Sequence, residues 1–64
     1  MKLNLDKIRR ELDRLQWTYS NLAVHSAMER QFVSEIMAGK AGRTFRTVER
    51  LAEALNVDEK DLVI

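Results

Sequence analysis

Arg30, Gln31, Ser34 and Glu35 fall on one side of a helix if the chain from about 29 to 38 is helical, since each residue turns the helix by about 100°. These types suit one chemistry, directional hydrogen bonding to a flat polar edge. A guanidinium offers a fork of donors that matches guanine. A Gln amide matches adenine in the same way, and a carboxylate accepts from the amino group of cytosine. Serine is compact enough to permit close approach. Four polar residues can also do no more than solvate a surface helix, and the helical wheel alone leaves both readings open.

The opposite side of the same segment must be anchored if this face is to be presented. Val33 and Ile36 define an inward face there, with Phe32 and Met37 on its flanks. Phe32 either meets a thymine methyl or covers a gap between this helix and the next. The second reading is favoured, because large aromatics supply much of a small core's burial. Met37 and Trp17 read as packing residues.

The rest of the chain reads as further short helices. There is no proline, and the two glycines are Gly39 and Gly42. Helix 1 starts at cap Asn4, with Leu3 stapling Ile8, and turns Leu5, Ile8, Leu12 and Leu15 inward. Helix 2 starts at cap Thr18, with Trp17 stapling Leu22, and runs to about Ser26. Helix 3 starts near Glu29, with Met28 stapling Val33, and stops at Gly39. Helix 4 starts at cap Thr44, carries Phe45, Val48, Leu51, Ala52 and Leu55 inward, and ends at a left-handed Asn56. Helix 5 is a turn or two, capped by Asp58 with Val57 stapling Leu62. Only Ala27 and Met28 separate helices 2 and 3, which forces a sharp corner. The expected fold is all-α, a compact bundle of five short helices forming one domain over residues 1–64.

Composition excludes several functions. The chain of 64 residues has no cysteine and one histidine, so no thiolate or zinc site is expected. His25 falls on the outer side of helix 2, where a lone histidine is structural or neutral. No phosphate-binding glycine loop or nucleophile–base pair is visible, so neither an enzyme, a cofactor nor a small-molecule site is expected. No apolar run approaches the roughly 20 residues of a membrane span, and the first residues do not read as a signal peptide. A cytoplasmic protein is expected. The net charge of +1 does not advertise a polyanionic partner, yet Lys40, Arg43, Arg46 and Arg50 cluster against one acid, Glu49.

Thr18, Leu22-Ala23, Ala27, Met28, Val33 with Ile36, and Gly39-Lys40 follow one another in an order and spacing that resembles the helix-turn-helix of the phage-repressor and Cro-type (lambda-repressor-like) regulators. The segment from Thr44 to Val57 resembles the fourth helix of that family. Three residues depart from its pattern. Tyr19 stands where Gln is frequent, Ala27 where the turn takes Gly, and Glu29 where Ser or Thr opens helix 3. Ala27 would hold a left-handed conformation at a cost of roughly 1 kcal/mol.

The resemblance implies binding of double-stranded DNA, with helix 3 in the major groove and Arg30, Gln31, Ser34 and Glu35 toward the bases. Phosphate contacts are expected from the N-terminus of helix 2, at Thr18, Tyr19 and Asn21, and from the following loop, at Lys40, Arg43 and Arg46, with Gly42 letting the backbone come close. Ordinary roles compete. Arg46 can pair with Glu49, Lys40 can offset a helix C-terminus, and Arg43 can be solvated. Arg9, Arg10 and Arg14 read as partners of Asp6, Glu11 or Asp13. The implied function is that of a sequence-specific transcription regulator, a repressor, bound as a homodimer with recognition helices about 34 Å apart. Leu62, Val63 and Ile64 are the candidate dimer surface. The same tail reads equally as core completion or as the stump of a longer chain. The alternative function is a protein-interaction module that keeps the fold without binding DNA, favoured by Glu29, Glu35, Tyr19 and the low net charge.

Overall fold

A computed structural model describes residues 2–41 and 44–64. Its elements are α1 (Leu5–Leu15), α2 (Tyr19–Ser26), α3 (Arg30–Met37), α4 (Phe45–Leu55) and a 3-10 turn (Glu59–Leu62). The expected fifth helix is that single turn. Asp58 precedes it in an extended conformation but makes no side-chain capping bond, so Asp58 is not the cap that was expected. Four residues close one i→i+3 turn and leave no room for the next.

Three starts are capped as the sequence suggests. The Lys7 N–H donates to Asn4 Oδ1 at 3.2 Å, and the Thr47 N–H donates to Thr44 Oγ1 at 3.3 Å. Thr18 makes a reciprocal capping box with Asn21, whose N–H donates to Thr18 Oγ1 at 3.3 Å. In return the Thr18 N–H donates to Asn21 Oδ1 at 2.9 Å. Glu29 opens α3 in an extended conformation without a side-chain capping bond.

All four α-helices stop in the same way. A left-handed residue follows the last turn: Gln16, Ala27, Gly39 and Asn56 have φ of 59°, 57°, 80° and 57°. The next N–H then reaches back five residues: Trp17 to Leu12, Met28 to Ala23, Lys40 to Glu35 and Val57 to Ala52, at 2.9–3.0 Å. This is the Schellman closure, which satisfies carbonyls the helix leaves open. Trp17, Met28 and Val57 serve twice. Each is the apolar residue that closes one helix and the apolar residue just before the cap position of the next. A left-handed residue, an apolar residue and an extended residue thus make each of these three corners.

The core consists of Ile8, Leu12, Leu22, Ala23, Val33, Ile36, Met37, Val48, Leu51, Ala52, Leu55 and Leu62. α2 packs on α3 and α4, while α1 and α4 both pack on the 3-10 turn. Leu5 and Leu15 are half-buried at the rim. Phe45 corrects the sequence reading, being 58% exposed. It occupies the first position of α4, where Cα–Cβ bonds lean past the helix start, so its ring projects beyond the core. Thr47 takes the inward place instead, its hydroxyl 2.9 Å from that of Thr44. The chain ends are tied together by an antiparallel bridge between Leu3 and Val63. The Asn4 N–H donates to the Leu62 carbonyl at 2.7 Å, and the Ile64 N–H to the Lys2 carbonyl at 2.8 Å.

Candidate nucleic-acid interface

α3 is built to hold one face still and leave the other open. Val33, Ile36 and Met37 are buried, whereas Arg30, Gln31, Ser34 and Glu35 are exposed on the other side. The corner that aims α3 turns at Ala27 in the left-handed conformation, and the small side chain of Ala23 is buried in the core before it. Inside that corner the Ser26 hydroxyl donates to the Leu22 carbonyl at 2.6 Å, so its burial leaves no polar group unsatisfied.

The far end of α3 is held from α1. Arg9 Nη2 donates to the Met37 carbonyl at 3.3 Å. α3 carries no basic residue in its own last turn, so Arg9 supplies the positive charge that a helix C-terminus favours. Lys40, for which that role competes with a phosphate contact, is exposed beyond the Gly39 stop.

At the start of α2, the Thr18 hydroxyl and the Asn21 amide oxygen are engaged with each other in the cap. The N–H groups of Tyr19 and Ser20 are the donors this cap leaves open. Tyr19 is half-buried and packs against the core through its ring, and Thr18 and Asn21 are exposed. Arg43 and Gly42 lie outside the described residues.

Between α3 and α4 runs an open groove of about 610 Å³. Gln31 and Glu35 line its α3 side, together with Glu29 and Phe32. Arg46 and Arg50 line its α4 side. The groove therefore brings two of the four candidate base readers together with one candidate phosphate contact. Arg30, Ser34, Thr18, Asn21 and Lys40 stand outside it. Phe32 is half-buried between the two helices and packs on the core, as the gap-covering reading expects.

The ion pairs among the described residues all lie within α1: Lys7–Glu11 at 3.3 Å, Arg9–Asp6 at 3.3 Å and Arg14–Glu11 at 2.6 Å. Arg9 and Arg14 thus take their expected partners, while no pair joins Arg46 to Glu49. Glu11 is buried. The Arg14 guanidinium that hydrogen-bonds it, helped by Lys7, holds its carboxyl below the usual carboxylate range against the opposing effect of burial.

Sequence reasoning missed the stacking of Trp17 on His25, with ring centroids 4.2 Å apart and planes 7° from parallel. The two residues are eight apart and in different elements, so no periodicity marks the pair. His25 covers the indole at the corner preceding α2. Leu62 also needs correction. It is fully buried in the core and offers no surface to a second copy, because the 3-10 turn points it inward against α1 and α4. Val63 is half-buried in the bridge to Leu3, and Ile64 is 77% exposed.

No cluster of three or more metal-ligating side chains occurs among the described residues, and no helix there is long and apolar enough to cross a membrane. A search among curated proteins found no match. A family model described as a helix-turn-helix domain matches residues 7–63, which include the α2–α3 corner, the exposed face of α3 and the groove beside it. By that match the chain belongs to the helix-turn-helix domain family, whose members are DNA-binding and typically non-enzymatic modules.

Proposed function

We propose that this chain, as a single domain over residues 1–64, binds double-stranded DNA sequence-specifically and acts as a transcription repressor of the phage-repressor and Cro type. The observation that carries this reading is the division of α3. One side is sunk in the core, and Arg30, Gln31, Ser34 and Glu35 stand exposed on the other. The major groove admits one α-helix, and these side chains match base edges there. Thr18, Tyr19 and Asn21 at the start of α2 position the domain on phosphates. Lys40, Arg43 and Arg46 do the same after α3. A single module of this size buries too little surface for tight specific binding, so two copies bind together. Within the C-terminal trio, Ile64 provides the exposed surface for that pairing.

Selection of bound sequences from random duplex DNA tests this reading. The expected product is a two-fold motif with half-sites one turn of DNA apart, about 34 Å. No enrichment over the starting pool, at about 50 mM salt where phosphate contacts are strong, would sink it. One observation supports a second reading. Glu29 and Glu35 put two carboxylates on or beside the presenting face, which suits a protein partner with a basic surface. Failed DNA selection together with capture of such a partner by this face would favour that role.

A further inference from the structure

The geometry points to Arg50, which the sequence reading left without a role, as a further DNA phosphate contact that sets the strand within the α3–α4 groove. This rests on the DNA-binding reading above. The groove is polarised. Glu29, Gln31 and Glu35 line one side, Arg46 and Arg50 the other, and no ion pair links the two sides. Neither arginine is therefore engaged by a carboxylate across the groove. Arg50 is half-buried and lines the groove, and no hydrogen bond or ion pair among the described residues involves its side chain.

A nucleic-acid strand has the matching asymmetry, with base edges on one side and phosphates on the other. The two carboxylates repel phosphates from the α3 side and accept base amino groups there. The two guanidinium groups attract phosphates to the α4 side and match their oxygens bidentately. Arg46 and Arg50 are four residues apart on one helix, so their Cβ atoms lie about 5–6 Å apart, close enough to serve successive phosphates of one strand. A strand lying in the groove has its bases toward Gln31 and Glu35 and its backbone along α4. Arg50 then fixes how far along α3 each base falls.

Arg50→Gln tests this, since Gln keeps the side-chain stem and the helix while removing the charge. Arg50→Lys keeps the charge, and Arg10→Ala removes the same charge from an exposed site on α1 outside the groove. The probes are the duplex enriched by the unaltered chain and a scrambled duplex of equal length, titrated across salt concentrations. Thermal melting of each variant shows that it is folded. The expected result for Arg50→Gln is a salt slope smaller by about 0.9, the release associated with one phosphate. Arg50→Lys keeps the slope within about half that difference, and Arg10→Ala keeps it unchanged. An unaltered slope for Arg50→Gln overturns the assignment, as does an equal loss for Arg10→Ala. Failure of the unaltered chain to bind either duplex overturns the DNA-binding reading itself and the assignment with it.

Discussion

Glu11 is a buried carboxylate in a protein with a small core, held by Arg14 at 2.6 Å and Lys7 at 3.3 Å. Both partners reach solvent, so water takes over their charges if the pair is broken, and the loss falls on the buried acid. Glu11→Gln removes charge-assisted bonds from a desolvated site, and a loss of about 1–2 kcal/mol is expected in urea unfolding at neutral pH. The same residue gives the stability a pH dependence. Its native pKa lies below its unfolded value, so the unfolded chain binds the proton more readily. The stabilisation is present above the unfolded value of 4.5 and is lost as pH falls from there through the lower native value. The Gln variant should therefore show a flatter stability profile in that acid range than the unaltered chain. Identical acid profiles for the two chains would show that Glu11 carries no such linkage.

At the scale of elements, the three corners share one construction, and its strained member is Ala27. An alanine at φ 57° has its Cβ close to the following carbonyl, at a cost of about 1–2 kcal/mol. Glycine removes that strain but gives the unfolded chain more freedom, worth about 0.4–1 kcal/mol. Ala27→Gly is accordingly expected to be neutral or to stabilise by up to about 1 kcal/mol, a rise of a few degrees in melting temperature. Ala54→Gly, inside α4, should cost about 1 kcal/mol. A comparable loss at both positions would show that Ala27 is not strained. Arg9 makes a second prediction for α3. Arg9→Gln should leave the fold intact while amide exchange speeds up in the last turn of α3, where the Met37 carbonyl loses its donor.

The same corners show what was legible in the sequence. Thr18 and Thr44 announce helix starts because their hydroxyls accept from the N–H three residues on, and Asn56 and Gly39 announce stops because they tolerate positive φ. Gln16 adopts the same left-handed conformation with nothing in its side chain to signal it; the return of Trp17 to the core imposes it. Asn21 completes the capping box of α2 where Glu or Gln is the usual partner, so its residue type gives no sign of that role. Arg50 stands out in the sequence only as one of a basic cluster, because the α3–α4 groove exists only after α4 has packed. Non-local pairs leave no periodic trace, so neither the Leu3–Val63 bridge nor the Trp17–His25 stack could be read from spacing.

For the whole molecule, the question is what the last residues do. A chain of 64 residues buries only about 60% of its unfolded surface, so a single core residue is a large part of its stability. Leu62 is such a residue, fully buried where α1, α4 and the end of the chain meet. Ile64, two residues on, is exposed and hydrogen-bonds only through its backbone to Lys2. The two residues should therefore separate folding from pairing. Leu62→Ala leaves a cavity and should cost about 2–5 kcal/mol, enough to unfold much of the population at 37 °C. That loss should not depend on protein concentration, because the packing is within one chain. Ile64→Asp should leave the melting temperature within a degree or two, since no buried contact is lost. On the selected two-fold duplex, however, the Asp variant should bind as separate half-site molecules, with the cooperativity of the unaltered chain reduced. A cooperative isotherm for Ile64→Asp would show that the copies pair through another surface, with the exposed Phe45 on α4 and Val24 on α2 as the next places to substitute.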